Sequence, residues 1–100
     1  MLLYAVDLED WEESLSFDRR PVKFGPDSRR ECDDLCLDVY DVILGMKQGG
    51  RCPDETPRPM RHHEICFKFG GKMIRIVYIE SYSVSENCEC IFVKHAGVAR

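Results

Sequence analysis

A chain of 100 residues can bury one modest core, too little for two domains or for an active site assembled from many parts. With 44% hydrophobic and 32% charged residues it reads as a folded globular domain, and no stretch approaches the roughly 20 apolar residues of a membrane-spanning helix, which argues against membrane insertion. Fourteen Lys and Arg against eighteen Asp and Glu leave a net charge of −4, which argues against bulk attraction to nucleic acid or anionic lipid.

Residues 1–26 read as an irregular arm of a single domain. Leu2 to Val6 could form a short strand, an acidic run extends from Asp7 to Glu13, and Arg19, Arg20 and Lys23 make a basic patch. Pro21 and the Gly25-Pro26 pair stop any helix begun around Trp11 and Leu15. The six residues before Asp7 lack a basic start and are too short for a secretion signal, so the compartment stays open.

The pattern then predicts one amphipathic helix over residues 27–47. Ser28 and Glu31 fit a capping box, and Asp27, Glu31, Asp33 and Asp34 put negative charge at the positive end of the helix dipole. Cys32, Leu35, Cys36, Val39, Val42, Ile43 and Met46 recur every three or four residues and lay one apolar stripe. Gly45 weakens the last turn, and Gln48-Gly49-Gly50 ends the helix.

Pro53, Pro57 and Pro59 make a loop of residues 51–63. Two β-rich runs, Glu64–Phe69 and Lys72–Glu80, flank Gly70-Gly71 and predict a hairpin with a two-residue turn. Pairing Phe69 with Lys72 puts Ile65, Phe67, Ile74, Ile76 and Tyr78 on one face, with Cys66, Lys68, Met73, Arg75 and Val77 on the other. Ser81–Glu86 reads as a polar turn and Asn87–Val93 as a third strand. The expected fold is therefore α+β: one amphipathic helix packed on a three-stranded antiparallel sheet, residues 64–94, with the arm closing an edge or the other face.

Six cysteines, Cys32, Cys36, Cys52, Cys66, Cys88 and Cys90, depart most from background, and an even set in a small chain suggests disulfides. Cys32 and Cys36 would lie one helical turn apart, roughly 5 to 6 Å, and Cys88 and Cys90 on one strand face roughly 6.5 to 7 Å apart, so two parallel bridges could rivet helix to sheet. This gives Cys32 with Cys88, Cys36 with Cys90, and Cys52 with Cys66 by elimination; a helix running the other way would swap the first two pairs. Bridges worth about 3 to 4 kcal/mol each rival the net stability of such a domain, so reduction is expected to unfold it.

The helix Cys-x-x-x-Cys and strand Cys-x-Cys resemble the cysteine-stabilised α/β motif of defensins and scorpion toxins. Separately, the run from Ile76 to Cys90 is similar to the last strand of cystine-knot growth factors and cytokines, which end in Cys-x-Cys after a long hairpin. Both resemblances imply a secreted, disulfide-bonded domain that acts by binding another protein.

Other constellations are weaker. A zinc site would draw on Cys52, His62 or His63, Cys66, Cys88 and Cys90, but no Cys-x-x-Cys knuckle is present. His63 and Cys66 could be imagined as base and nucleophile, yet no group nearby in sequence would orient the histidine. The basic cluster Arg58, Arg61, His62 and His63, with Arg19 and Arg20, is the best candidate partner surface, since arginine is enriched in interface hot spots and loops carry function on rigid scaffolds.

The expected function is a non-enzymatic extracellular protein-binding module or ligand domain, without cofactor or metal. The alternatives are an intracellular or viral adaptor or inhibitor with reduced thiols, in the cytoplasm, and a small zinc-binding regulatory domain. A strand edge open at residues 86–94 would also allow two chains to pair as a dimer.

Overall fold

The computed structural model describes residues 15–53 and 61–99. The strand expected at Leu2–Val6, the acidic run and Arg58 lie outside them. In chain order the elements are β1 (Ser16–Phe17), β2 (Arg20–Phe24), α1 (Pro26–Asp34), α2 (Val39–Gln48), β3 (His62–Phe69), β4 (Lys72–Ser83) and β5 (Cys88–Val98). The strands form one sheet in the order β1-β2-β5-β4-β3. All neighbours are antiparallel except β2 and β5, which run parallel through Val22↔Ile91 and Phe24↔Val93. Among the described residues, the expectation of one helix on three antiparallel strands is thus corrected to a mixed five-stranded sheet with two helices.

The extra strands come from the segment read as an arm. Asp18 and Arg19 both take positive φ, 53° and 63°, and close a two-residue turn between β1 and β2 without a glycine to announce it. Pro21 is tolerated because β2 pairs with β5 only from Val22 onward.

The expected single helix breaks after Asp34. Cys36 adopts φ 60°, while Leu37 N–H donates to the Cys32 carbonyl at 2.9 Å and Cys36 N–H to that of Asp33 at 3.0 Å. This is the paired bonding of a Schellman stop, with buried Leu37 against buried Cys32 completing its apolar contact. Asp38 then starts α2: its carboxylate accepts from Asp41 N–H at 2.8 Å and the Asp41 carboxylate accepts from Asp38 N–H at 3.1 Å. At the start of α1, Gly25 rather than Ser28 is the cap residue, and Ser28, one turn in, reaches back with its hydroxyl to the Gly25 N–H at 3.1 Å.

The hairpin has the expected register. Phe69 pairs with Lys72 and His63 with Tyr78, and Gly70 and Gly71 carry the positive φ values that its turn requires. One face of the sheet meets the helices, where Val22, Phe67, Ile74, Ile76, Ile91 and Val93 pack with Cys32, Leu37, Val42, Ile43 and Met46. Gly45 lets α2 come close to β3, directly over the Phe67 ring.

The sheet also decides the cysteines. Ile91 and Val93 face the helices, so by two-residue alternation Cys88 and Cys90 point to the opposite side, away from Cys32. The expected bridges Cys32–Cys88 and Cys36–Cys90 are absent: all four are free, with Cys32 and Cys90 buried and Cys36 turned out to solvent by the helix stop. Cys52 and Cys66 do form a disulfide, with Cα atoms 5.0 Å apart, and Gly50 exchanges two backbone hydrogen bonds with Cys66 beside it. Residues 86–94, expected as an open edge for a second chain, include interior strand β5, flanked by β4 and β2.

Candidate functional site

The longest strand outruns its neighbour. β4 extends to Ser83, whereas β3 begins at His62, paired with Ile79. Where β3 is missing the surface opens into a cavity of about 850 Å³, lined by Arg61, His62 and His63 on one side, Ile79 to Tyr82 on β4, and Glu89 on β5.

One side of this region is held by Glu80. Its carboxylate lies 3.2 Å from Arg20 Nη1 and 3.3 Å from His63 Nε2, and Arg20 also reaches the Asp18 carboxylate at 3.2 Å. The hydrogen bond that Arg20 donates to Glu80, with the charges of Glu80, Asp18 and Glu89, raises the Arg20 pKa above its ordinary value and keeps the guanidinium charged. His63 stacks on Tyr78 at 5.1 Å between ring centroids, and Phe17 meets the other side of the network edge-on to Tyr78 at 5.6 Å. Burial, reinforced by the charge of Glu80, pushes the Tyr78 phenol up. These contacts tie β1, β2, β3 and β4 together through side chains.

The structure therefore gathers Arg20, Arg61, His62 and His63, four of the basic residues singled out in the sequence, at one end of the sheet. Arg19 sits exposed at the β1–β2 turn and does not line the cavity. Sequence reasoning missed Glu80, Tyr82 and Glu89. A signal for Glu80 was present: it continues the apolar line Ile74, Ile76, Tyr78, and a carboxylate on the core-facing line marks the place where the core ends.

The remaining chemical readings change with these positions. Cys66 is bonded to Cys52, so it offers no thiol to His63, which in any case projects from the opposite face of β3. The same bond removes two of the cysteines considered for zinc, and among the described residues no group of three His, Cys, Asp or Glu side chains is placed to hold a metal. Among the described residues, no helix is long and apolar enough to cross a membrane.

No family model matches the chain, and neither a curated protein nor a solved structure matches it.

Proposed function

We propose that the chain is a non-enzymatic protein-binding module that receives its partner in the cavity beside β4. The observation that carries this reading is the composition of that surface: an open concavity with Arg61, His62, His63 and Tyr82 at one end of the sheet. Tyrosine and arginine are among the side chains enriched in interface hot spots. Arg20, Glu80 and His63 spend their polar groups on one another, which supports a surface held in one shape rather than a base kept free for chemistry.

The test is a random dodecapeptide library displayed on phage and selected on the folded protein, with an Arg61→Glu/Tyr82→Ala variant as comparison. The variant should keep the wild-type circular dichroism and thermal transition. Enriched peptides that bind the wild type and lose the variant support the reading; peptides that bind both equally, or no enrichment, contradict it.

The compartment has two readings. The Cys52–Cys66 bridge supports an extracellular module, while the four free cysteines support an intracellular or viral adaptor or inhibitor with reduced thiols. Intact mass of protein from its own source, alkylated under denaturing conditions without reductant, separates them. Four alkylated thiols support the first, and six the second.

A further inference from the structure

We propose that Cys88 and Cys90 form a two-thiolate site for a soft monovalent metal ion, Cu(I), on the side of the sheet turned away from the helices. The inference goes beyond the protein-binding reading and does not depend on it.

The strand places the pair. Cys88 and Cys90 alternate with Glu89 and so share one face of β5, opposite Ser83 and Ser81 of β4. Both are free thiols, with Cys90 buried and Cys88 partly exposed, so one sulfur of the pair is reached from solvent. The residues across the ladder are small hydroxyl side chains rather than bulky apolar ones. Lys23, opposite Phe92 on β2, shares this face and is paired with Glu86.

Distance separates the two things such a pair could do. Successive positions on one strand face are about 6.5 to 7 Å apart. A disulfide needs its Cβ atoms about 3.5 to 4.5 Å apart, so the two sulfurs do not close on each other without a change of backbone. A metal ion held in line between them spans more. With metal–thiolate bonds of about 2.3 Å the sulfurs stand about 4.6 Å apart, a separation both side chains reach by turning toward each other on an unaltered strand.

Ligand number then selects the ion. Zinc takes four ligands, and among the described residues no three His, Cys, Asp or Glu side chains converge. Thiolates are soft ligands that favour Cu(I), an ion that two of them satisfy in a linear arrangement. Binding forms two Cu–S bonds and releases both thiol protons; copper keeps its oxidation state, so no oxidant or reductant takes part. The other free cysteines do not match this geometry. Cys32 is buried on the helix side, and the helix stop turns Cys36 out to solvent.

The test is anaerobic competition for Cu(I), supplied as its bicinchoninate complex and followed by the absorbance of that complex, with the Cys52–Cys66 bridge intact. Wild type should withdraw a single copper per chain, and Cys36→Ser should do the same. Cys88→Ser and Cys90→Ala should each lower the affinity by about a hundredfold or more. Cys88 is the partly exposed member, so its variant decides the matter where circular dichroism shows Cys90→Ala unfolded. Cys88→Ser/Glu89→Cys keeps the thiol count but turns one sulfur to the other face, and it should lose the metal as Cys88→Ser does. Copper X-ray absorption of the loaded wild type should show two sulfur neighbours. No withdrawal by wild type, an equal loss in Cys36→Ser, copper retained by Cys88→Ser/Glu89→Cys, or three or more sulfur neighbours would each overturn the site.

Discussion

Gly45→Ala is a sensitive probe of how α2 seats on the sheet. In an isolated helix alanine is more favourable than glycine by about 1 kcal/mol. Here a Cβ at residue 45 would stand 2.5 Å from both Cδ2 and Cζ of Phe67, where carbon atoms prefer about 3.5 to 4.0 Å. The ring must retreat by about 1 Å, yet its neighbours Ile43, Met46 and Ile74 are each 1% exposed and leave little room. Overpacking of this kind costs about 1 to 3 kcal/mol, so the net effect is a destabilisation of about 1 kcal/mol, or about 4 to 8 °C in Tm. In a Phe67→Leu background the obstacle is smaller and the same substitution should become stabilising. Urea unfolding followed by circular dichroism measures all four corners of the cycle. A Gly45→Ala effect of the same sign and size in both backgrounds would refute the close packing of α2 on β3.

The single disulfide spans 14 residues and is worth about 3 kcal/mol, so Cys52→Ala/Cys66→Ala should shift the urea midpoint down yet remain folded; an unfolded variant would contradict this. Glu31 accepts the Ala96 N–H at 3.1 Å, on the stretch of β5 that β2 does not reach, and stands 3.4 Å from His95 Nδ1. Glu31→Ala should cost about 1 to 3 kcal/mol and Glu31→Gln, which keeps an acceptor, much less; equal losses would refute the contact. Burial, helped by Asp33 and Glu31, pushes the Cys32 thiol from 9.0 to about 11. Below pH 9.0 the thiol is protonated in both folded and unfolded chains and its contribution is fully present; between there and about 11 only the unfolded chain ionises, so stability falls as pH rises. Cys32→Ala should flatten the alkaline slope relative to wild type, with the Tyr78 contribution common to both chains; identical slopes would contradict burial of this thiol.

What was legible in the sequence was local. The Gly70-Gly71 turn and the alternation on either side of it were enough to place β3 against β4 to the residue, because a one-residue slip would turn every apolar side chain outward. The helix stripe was real, but its continuity was not: Cys36 holds a left-handed conformation usually given to glycine or asparagine, and the Asp38–Asp41 pair, a capping box in fact, read as the polar side of one long helix. The parallel pairing of β2 with β5 joins residues about seventy positions apart in the chain, and nothing in Arg20–Phe24 alone signals it. The cysteine pairing failed on parity. Two cysteines on one strand face were read correctly, but which face meets the helices depends on the whole sheet, and there Ile91 and Val93 take that side. The basic cluster was visible as composition; that Arg20 and His63 share one carboxylate was not, because Glu80 comes from a third strand.

The most direct measurement of the central claim is an amide NMR titration of the folded protein with a peptide enriched by display. Binding at the cavity predicts the largest shifts at Arg61–His63, Glu80, Tyr82 and Glu89. Shifts concentrated instead on Tyr40 and Leu44, the exposed apolar residues of α2, with the β4 end unchanged, would contradict the account.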